Sequence, residues 1–234
     1  MRSFSMPEDL KTLARSGRLR AAINTGNRAL VHIEGGRLGG ISPELARRLA
    51  TEIGATLETV VYDGAGKVFD DVGRDIWDVA FLAIDPTRAQ KITFTRPYVV
   101  IEATYAVRSE SSIVTVEDAD REGHTVVLSR GSAYDMHLTA TLQHAAVERA
   151  ATPAESFTDF RKGRGDAVAG VRETLESAFG GDPDFRILPD AFKKVEQAMA
   201  LPGFGNPRVA ALDAFVERAI GDGFVERHFS SSER

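Results

Sequence analysis

The stretch 81–98, FLAIDPTRAQKITFTRPY, holds the residues whose types and spacing could do chemistry. An apolar run from Val79 to Ile84 ends in Asp85 and Pro86, and an arginine follows at position 88. The Asp85 side chain can accept a hydrogen bond from a free amide of the next turn, as N-cap residues do. Pro86 then falls at the first helical position, where its missing N–H costs nothing. This spacing places Arg88 on the first turn of a short helix, just past the carboxyl end of a buried strand. Free backbone amides, a positive helix end and a guanidinium would share one spot, which suits a carboxylate or a phosphate. On these residues alone, a solvated arginine beside an ordinary capped turn is the alternative.

Other chemistry is sparse. DGAGKV (63–68) fails the phosphate-loop pattern, because its glycine spacing is wrong and Val68 stands where Ser or Thr would hold Mg²⁺. Lys67 there reads as a solvated lysine, with a second anion contact as the alternative. The five histidines, at 32, 124, 137, 144 and 228, have no tight ligand spacing, so no metal and no cofactor are expected. The chain has no cysteine, which excludes disulfides, thiolate metal sites and cysteine nucleophiles. Net charge is −5, and no basic block or basic-aromatic stripe points to nucleic acid. No apolar run approaches the roughly 20 residues that span a bilayer. The N-terminus, MRSFSMPEDL, shows no apolar h-region. The expected location is therefore periplasmic or extracellular if a signal peptide was removed, and cytoplasmic otherwise.

The elements that must position Arg88 follow from periodicity and punctuation. Residues 1–17 read as a polar arm, with Leu10 and Leu13 touching the body. LRAAIN (19–24) reads as a strand. SPELARRLATEIG (42–54) reads as a helix capped by Ser42 and started by Pro43. Ile41, Leu45, Leu49 and Ile53 recur every four residues along it, and Gly54 stops it. A strand (56–62), a short helix (65–73) and a buried strand (77–84) follow, with Trp77 read as core. The β-branched run 97–109 contains no helix and reads as a strand crossing from one half to another. The alternation then restarts: strand, glycine turn and helix over 124–144, helix 154–163, strand 166–171, helix 172–181 and edge strand 185–189. A second crossing strand (194–202), a long amphipathic helix (207–223) and a short helix to Phe229 complete the chain. Phe157, Phe160 and Phe215 sit at helical spacing and read as core. The expected fold is α/β: two similar halves joined by two crossings, with helices on the sheet faces. In such sheets ligands bind beyond the carboxyl ends of strands, and clefts between halves are favoured. Arg88 and the Gly131-Ser132 turn both fall at such ends.

With these pieces in order, the chain resembles the type 2 periplasmic solute-binding proteins, in particular the polar-amino-acid group, solute-binding family 3. LRAAIN opens the body. GGISPELARRLATEIGATLETVVYD resembles the family's G-F-D-x-D-L-A helix and following strand. WDVAFLAIDPTRAQKITFTRPY resembles its T-x-x-R…F-[ST]-x-P-Y segment, and VVLSRGSAYD its second-lobe G-T/S-T loop. The resemblance covers about residues 18–230. It implies a two-lobed Venus-flytrap fold with two hinge crossings, lobe 1 comprising 18–100 and 197–234 and lobe 2 comprising 105–192. It further implies a monomer that closes on a small carboxylate-bearing or amino-acid-like ligand and delivers it to an ABC-transporter permease. Arg88 falls on the arginine that grips the ligand's carboxylate, and Ser132 and the Ala133 amide fall on the loop that shares it. Asn24, Asn27, Arg28, Ala83, Asp85 and Tyr134 complete the candidate binding residues.

Departures from the family pattern bear on the ligand. The acid that pairs with an amino acid's ammonium falls on Val171, with Arg172 and Glu173 next in line if the register slips. The first-strand acid falls on Asn24. The aromatic walls fall on Asn27 and Ala65, and the small hydroxyl residues on Phe81 and Ala83. A carboxylate without an α-ammonium, or one with an amide or hydroxyl for Asn24 and Asn27 to hold, is therefore expected. The alternatives are a dehydratase-like enzyme on the same fold, with Glu173 as general acid, and an intracellular ligand sensor.

Overall fold

The computed structural model describes residues 8–230 of the chain. A short α1 (Glu8–Lys11) leads into β1 (Arg18–Asn24), and β2 (His32–Glu34) and β3 (Arg37–Gly39) form a small hairpin. α2 (Ile41–Ile53), β4 (Thr56–Tyr62), α3 (Ala65–Asp70) and β5 (Val79–Ala83) follow. The long β6 (Ile92–Arg108) leads to β7 (Thr125–Ser129), α4 (Ala133–Thr141), β8 (Ala146–Ala150), α5 (Pro153–Arg161), β9 (Ala167–Val171), α6 (Arg172–Phe179) and β10 (Phe185–Ile187). The chain returns through β11 (Lys193–Pro202), α7 (Val209–Gly221) and α8 (Phe224–Ser230). Of the expected arm, residues 1–7 lie outside the described residues, as do 231–234. Leu10 and Leu13 are buried in the same cluster as Leu212 and Phe215 of α7.

The strand order is β4-β1-β5-β11-β6-β9-β7-β8, with β10 on β6. β4, β1 and β5 are parallel, as are β8, β7 and β9. β6 and β11 run antiparallel to each other and to their outer neighbours, β9 and β5. Hydrogen bonding is therefore continuous through the two crossing strands, which carry one ladder from one half into the other. That ladder loses register at Gln197/Ala198 and Ala198/Ala200, in the middle of the crossing. β-bulges of this kind bend a strand and increase its local twist.

Each half has helices on both faces, and strand alternation shows why. In β5, Val79, Phe81 and Ala83 join one core cluster, while Ala80 and Leu82 join another with Val68 and Trp77. In β7, Val126 and Leu128 join the first cluster, and Val127 packs with Phe157, Phe160 and Phe179. Period-two side chains buried on both faces are what strands under crossover helices require. Fully burying a side chain such as Leu45 or Leu49 contributes about 1.5–3 kcal/mol.

Two local expectations differ from the structure. Gly40, at φ 94°, is the N-cap of α2, and Ser42 lies inside the helix with its hydroxyl 3.2 Å from the Tyr98 hydroxyl. That partner is remote in sequence and outcompetes the cap. The turn after Asp85 is a single 3₁₀ turn over Arg88–Gln90 rather than a helix. β8, AVERA, and the β2–β3 hairpin were not anticipated. Gly54 does stop α2, in the left-handed conformation at φ 69°.

Candidate functional site

The chain leaves β5 at Ala83 and turns at once. Asp85 Oδ1 accepts from the Thr87 N–H at 2.8 Å and the Arg88 N–H at 3.3 Å, and the Asp85 carbonyl accepts from the Ala89 N–H at 2.9 Å. The hydrogen bond read from the sequence therefore forms, but it closes the turn ahead of the 3₁₀ segment, whose N-cap is Thr87 and not Asp85. It also consumes the amides that were expected to face a ligand, and a three-residue 3₁₀ turn has little dipole to add. What the turn supplies is the Arg88 side chain, folded inward and only 1% exposed.

The Arg88 guanidinium holds both halves of the molecule. Nη1 donates to the Ala83 carbonyl at 3.0 Å, and Nη2 donates to the Gly131 carbonyl at 2.7 Å. Nε is buried without a partner. Among the described residues no carboxylate lies within ion-pair distance of it. Burial lowers its pKa to about 10, with Asp85 acting in the opposite sense, so it is charged at neutral pH.

The second half meets it with the loop from β7 to α4. Ser132 caps α4, its Oγ accepting from the Asp135 N–H at 3.0 Å. Asp135 in turn accepts from the Gly131 N–H at 2.8 Å through Oδ2, and from Arg149 Nε at 2.9 Å through Oδ1. Gly131 takes φ 68°, a conformation open to glycine without strain. α4 begins at Ala133, where the first amides have no intrahelical acceptor. Burial pushes the Tyr134 phenol up to about 12, against the hydrogen bonds of Ser132 and Ser129. That phenol is a neutral hydroxyl at every physiological pH.

Between the halves lies a cavity of about 50 Å³. Of the candidates, Asn24, Asn27, Ala83, Arg88, Ser132, Ala133 and Tyr134 line it. Arg28 and Asp85 do not. Arg28 is exposed on an outer groove beside Asp63, and its backbone N–H donates to Thr174 Oγ1 of the other half at 3.1 Å. Asp85 is spent on the turn. Ala65, Phe81 and Val171 also line the cavity, as the resemblance placed them. Arg172 is tied to Glu102 at 3.1 Å and to the carbonyls of Leu188, Pro189 and Asp190, and neither it nor Glu173 is a lining residue. Lys67 pairs with Asp63 at 2.8 Å, and Trp77 is core, donating to the Val68 carbonyl. No Asp or Glu is among the described lining residues.

Sequence reasoning missed Ser129, Thr174 and Gln197, which also line the cavity. Gln197 had a signal: it is a polar residue inside the apolar crossing strand, and it is 4% exposed. Ser129 ends a buried strand, the position where ligand crevices open.

The halves touch across the cavity. Besides the Arg88–Gly131 and Arg28–Thr174 bonds, a Cβ on Gly131 would lie 2.8 Å from the Cα of Gly66. This is a closed arrangement, with the cavity walled in from both sides.

Comparison with known proteins places this architecture. The family model described as bacterial extracellular solute-binding proteins, family 3, matches residues 19–185. The chain is 26% identical over 116 residues to the glutamine-binding protein of Geobacillus stearothermophilus, 50% of this chain and 44% of that one. It is 24% identical over 197 residues to a membrane-bound lytic murein transglycosylase F of Pseudomonas savastanoi pv. phaseolicola, 80% of this chain and 40% of that one. The chain thus spans less than half the length of these curated relatives. Among solved structures, the L-arginine-bound amino acid ABC transporter substrate-binding protein AbpA from Streptococcus pneumoniae superposes with a TM-score of 0.81 at 20% identity. That superposition covers 97% of each chain and shows the two-lobed fold. Among the described residues, no helix is long and apolar enough to cross a membrane.

Proposed function

The chain belongs to the bacterial extracellular solute-binding proteins, family 3, and from that premise we propose that it closes its two lobes on a small carboxylate-bearing solute and delivers it to an ABC-transporter permease. Residues 18–100 with the described part of 197–234 make one lobe and 105–192 the other, the crossings β6 and β11 being the hinges. The protein works as a monomer in the periplasm or outside the cell. Amino-acid binders among the relatives support this reading.

One observation carries it. A guanidinium charged at neutral pH, almost wholly buried, sits on an inter-lobe cavity with its Nε unpartnered and, among the described residues, no carboxylate within ion-pair distance. Burying an unpaired charge costs several kcal/mol unless a partner arrives. In this closed arrangement two carbonyls, one from each lobe, stand in for that partner. A ligand carboxylate would supply the opposite charge that they lack, with Ser132 and the Ala133 amide completing its shell. Because Val171 falls on the position of the ammonium's acid and no acid is among the described lining residues, the preferred solutes lack an α-ammonium. The dehydratase alternative needs a carboxylic acid in the cavity, and the described lining residues include none.

A thermal-shift and calorimetric screen of small carboxylates and L-amino acids tests this. A ligand at 100 times its Kd stabilises the fold by about 2.7 kcal/mol. For a chain of this size that is roughly 5–10 °C in Tm. Arg88→Ala should weaken binding by about 2–5 kcal/mol. Arg88→Lys should not restore it, since an ammonium cannot reproduce the planar two-point fork. Unaltered affinity in Arg88→Ala would remove the arginine from the site.

A further inference from the structure

Asn24 and Asn27 flank the Gly26 turn at the end of β1, and they do not present a ligand with the same group. Asn24 Oδ1 already accepts from the Gly26 N–H at 3.0 Å, so what this amide still has to give is Nδ2, a donor. Asn27 is anchored through its backbone. Its N–H donates to the Asn24 carbonyl at 3.4 Å, and its carbonyl accepts from the N–H groups of Leu30 at 3.2 Å and Val31 at 3.0 Å. Its side-chain Oδ1 is buried without a partner. Asn24, Asn27 and Arg88 line the same cavity.

Two residues that line the cavity therefore carry unmet demands of opposite kind. Arg88 Nε lacks an acceptor and Asn27 Oδ1 lacks a donor. A buried polar group left without a partner is unfavourable, and native proteins avoid it unless something else fills the gap. A solute that satisfies both carries an anionic acceptor and a hydrogen-bond donor. Three donors are chemically available: an ammonium, an amide and a hydroxyl. An ammonium would add a positive charge to the cavity that holds buried Arg88, and no Asp or Glu is among the described lining residues to balance it. An amide adds three heavy atoms to the solute, whereas a hydroxyl adds one. The cavity is small, at about 50 Å³, which favours the smaller group. A hydroxyl also both donates and accepts, so it meets Asn27 Oδ1 and Asn24 Nδ2 together.

We propose that Asn27, assisted by Asn24, is the specificity-determining residue of the cavity and reads a neutral hydroxyl, so that the solute is a short-chain hydroxy-carboxylate. This rests on the reading of Arg88 as the carboxylate clamp. It goes beyond that reading by assigning a second contact and a second functional group.

The test is calorimetric titration of the wild-type chain with two series that vary one substituent: acetate, glycolate and glycine, then propionate, lactate and alanine. The hydroxy acid of a series should bind about tenfold or more tighter than the unsubstituted acid, since only it satisfies Asn27. The amino acid should gain nothing over the unsubstituted acid. In Asn27→Ala, checked for an intact melting transition, the hydroxy acid should lose its advantage while the unsubstituted acid binds as before. In Arg88→Ala every acid should be lost. Equal affinity of the wild type for hydroxy and unsubstituted acids, with Arg88→Ala still abolishing both, would overturn the inference about Asn27 and leave the carboxylate clamp standing. Tightest binding of glycine or alanine would overturn it too. Failure of all six compounds to bind would overturn the clamp and this inference together. The wild-type series decides the matter even if the Asn27 variant does not fold.

Discussion

Substituting Gly66 by alanine should weaken ligand binding while leaving the ligand-free fold as stable as before, or more so. Gly66 is the second residue of α3, with an ordinary helical conformation, and alanine is favoured over glycine in a helix by up to about 1 kcal/mol. Across the cavity, however, its Cβ would lie 2.7 Å from the Arg130 carbonyl oxygen and 3.3 Å from the Gly131 Cα. A carbon–oxygen contact relaxes at about 3.3 Å or more, so the lobes must separate there by roughly 0.6 Å. The opposing loop cannot easily give way. The Gly131 N–H is held by Asp135 and its carbonyl by Arg88. Overpacking of this kind costs about 1–3 kcal/mol. Charged only to the closed state, that is about 5- to 150-fold in Kd. Calorimetry with lactate measures the affinity, small-angle scattering measures compaction on adding lactate, and thermal melts measure the free protein. Gly221→Ala is the control, because its Cβ meets nothing within 4 Å. A Kd within about twofold of wild type, with the same ligand-induced compaction, would refute the idea that closure brings Gly66 against the Arg130-Gly131 loop.

Other outcomes follow from the same geometry. Val171→Asp should shift preference toward amino acids, by placing a counter-charge on the cavity wall; Val171 is buried but is also the N-cap of α6, where aspartate is favoured, which offsets part of the cost of the buried carboxylate, and a titration with alanine shows the change. Arg172→Ala should lower stability by about 1–3 kcal/mol, since it strips donors from three carbonyls, while leaving Kd unaltered; a chemical-denaturation curve and a titration separate the two. Stability should fall as pH drops below about 4. The amides of Thr115 and Val114 hold Asp118 below its ordinary value, as Arg161 does for Asp182 and Arg48 for Asp222. The unfolded chain then binds more protons, so their contribution is present above the ordinary carboxylate value and lost as pH falls through the folded values. Melts from pH 6 to pH 2 should show a shallower decline in Asp182→Asn than in wild type.

Much of the fold was legible because its signals are local. The four-residue spacing from Ile41 to Ile53, the glycine stop at 54, the Asp85 turn and the two helix-free crossings, the first of them β-branched, each depend on neighbours within a few residues. The family motifs likewise placed Arg88, Ser132, Ala133 and Val171 at one site from their order alone. The rest depended on partners remote in the chain. Ser42 looked like a cap until Tyr98, 56 residues on, took its hydroxyl. Arg88 looked poised among free amides, but the Asp85 turn used those amides, and Gly131, 43 residues on, took one arm of its fork. Arg172 could have served the ligand by composition, and only the packing of 188–190 against it removed it from contention. Asn24 and Asn27 are chemically identical in sequence. They become a donor and an acceptor only when the turn commits one oxygen to the Gly26 amide and buries the other without a partner. Residue type and spacing state which groups are available. Which of their hydrogen bonds is already used depends on atoms that only the folded chain brings within reach.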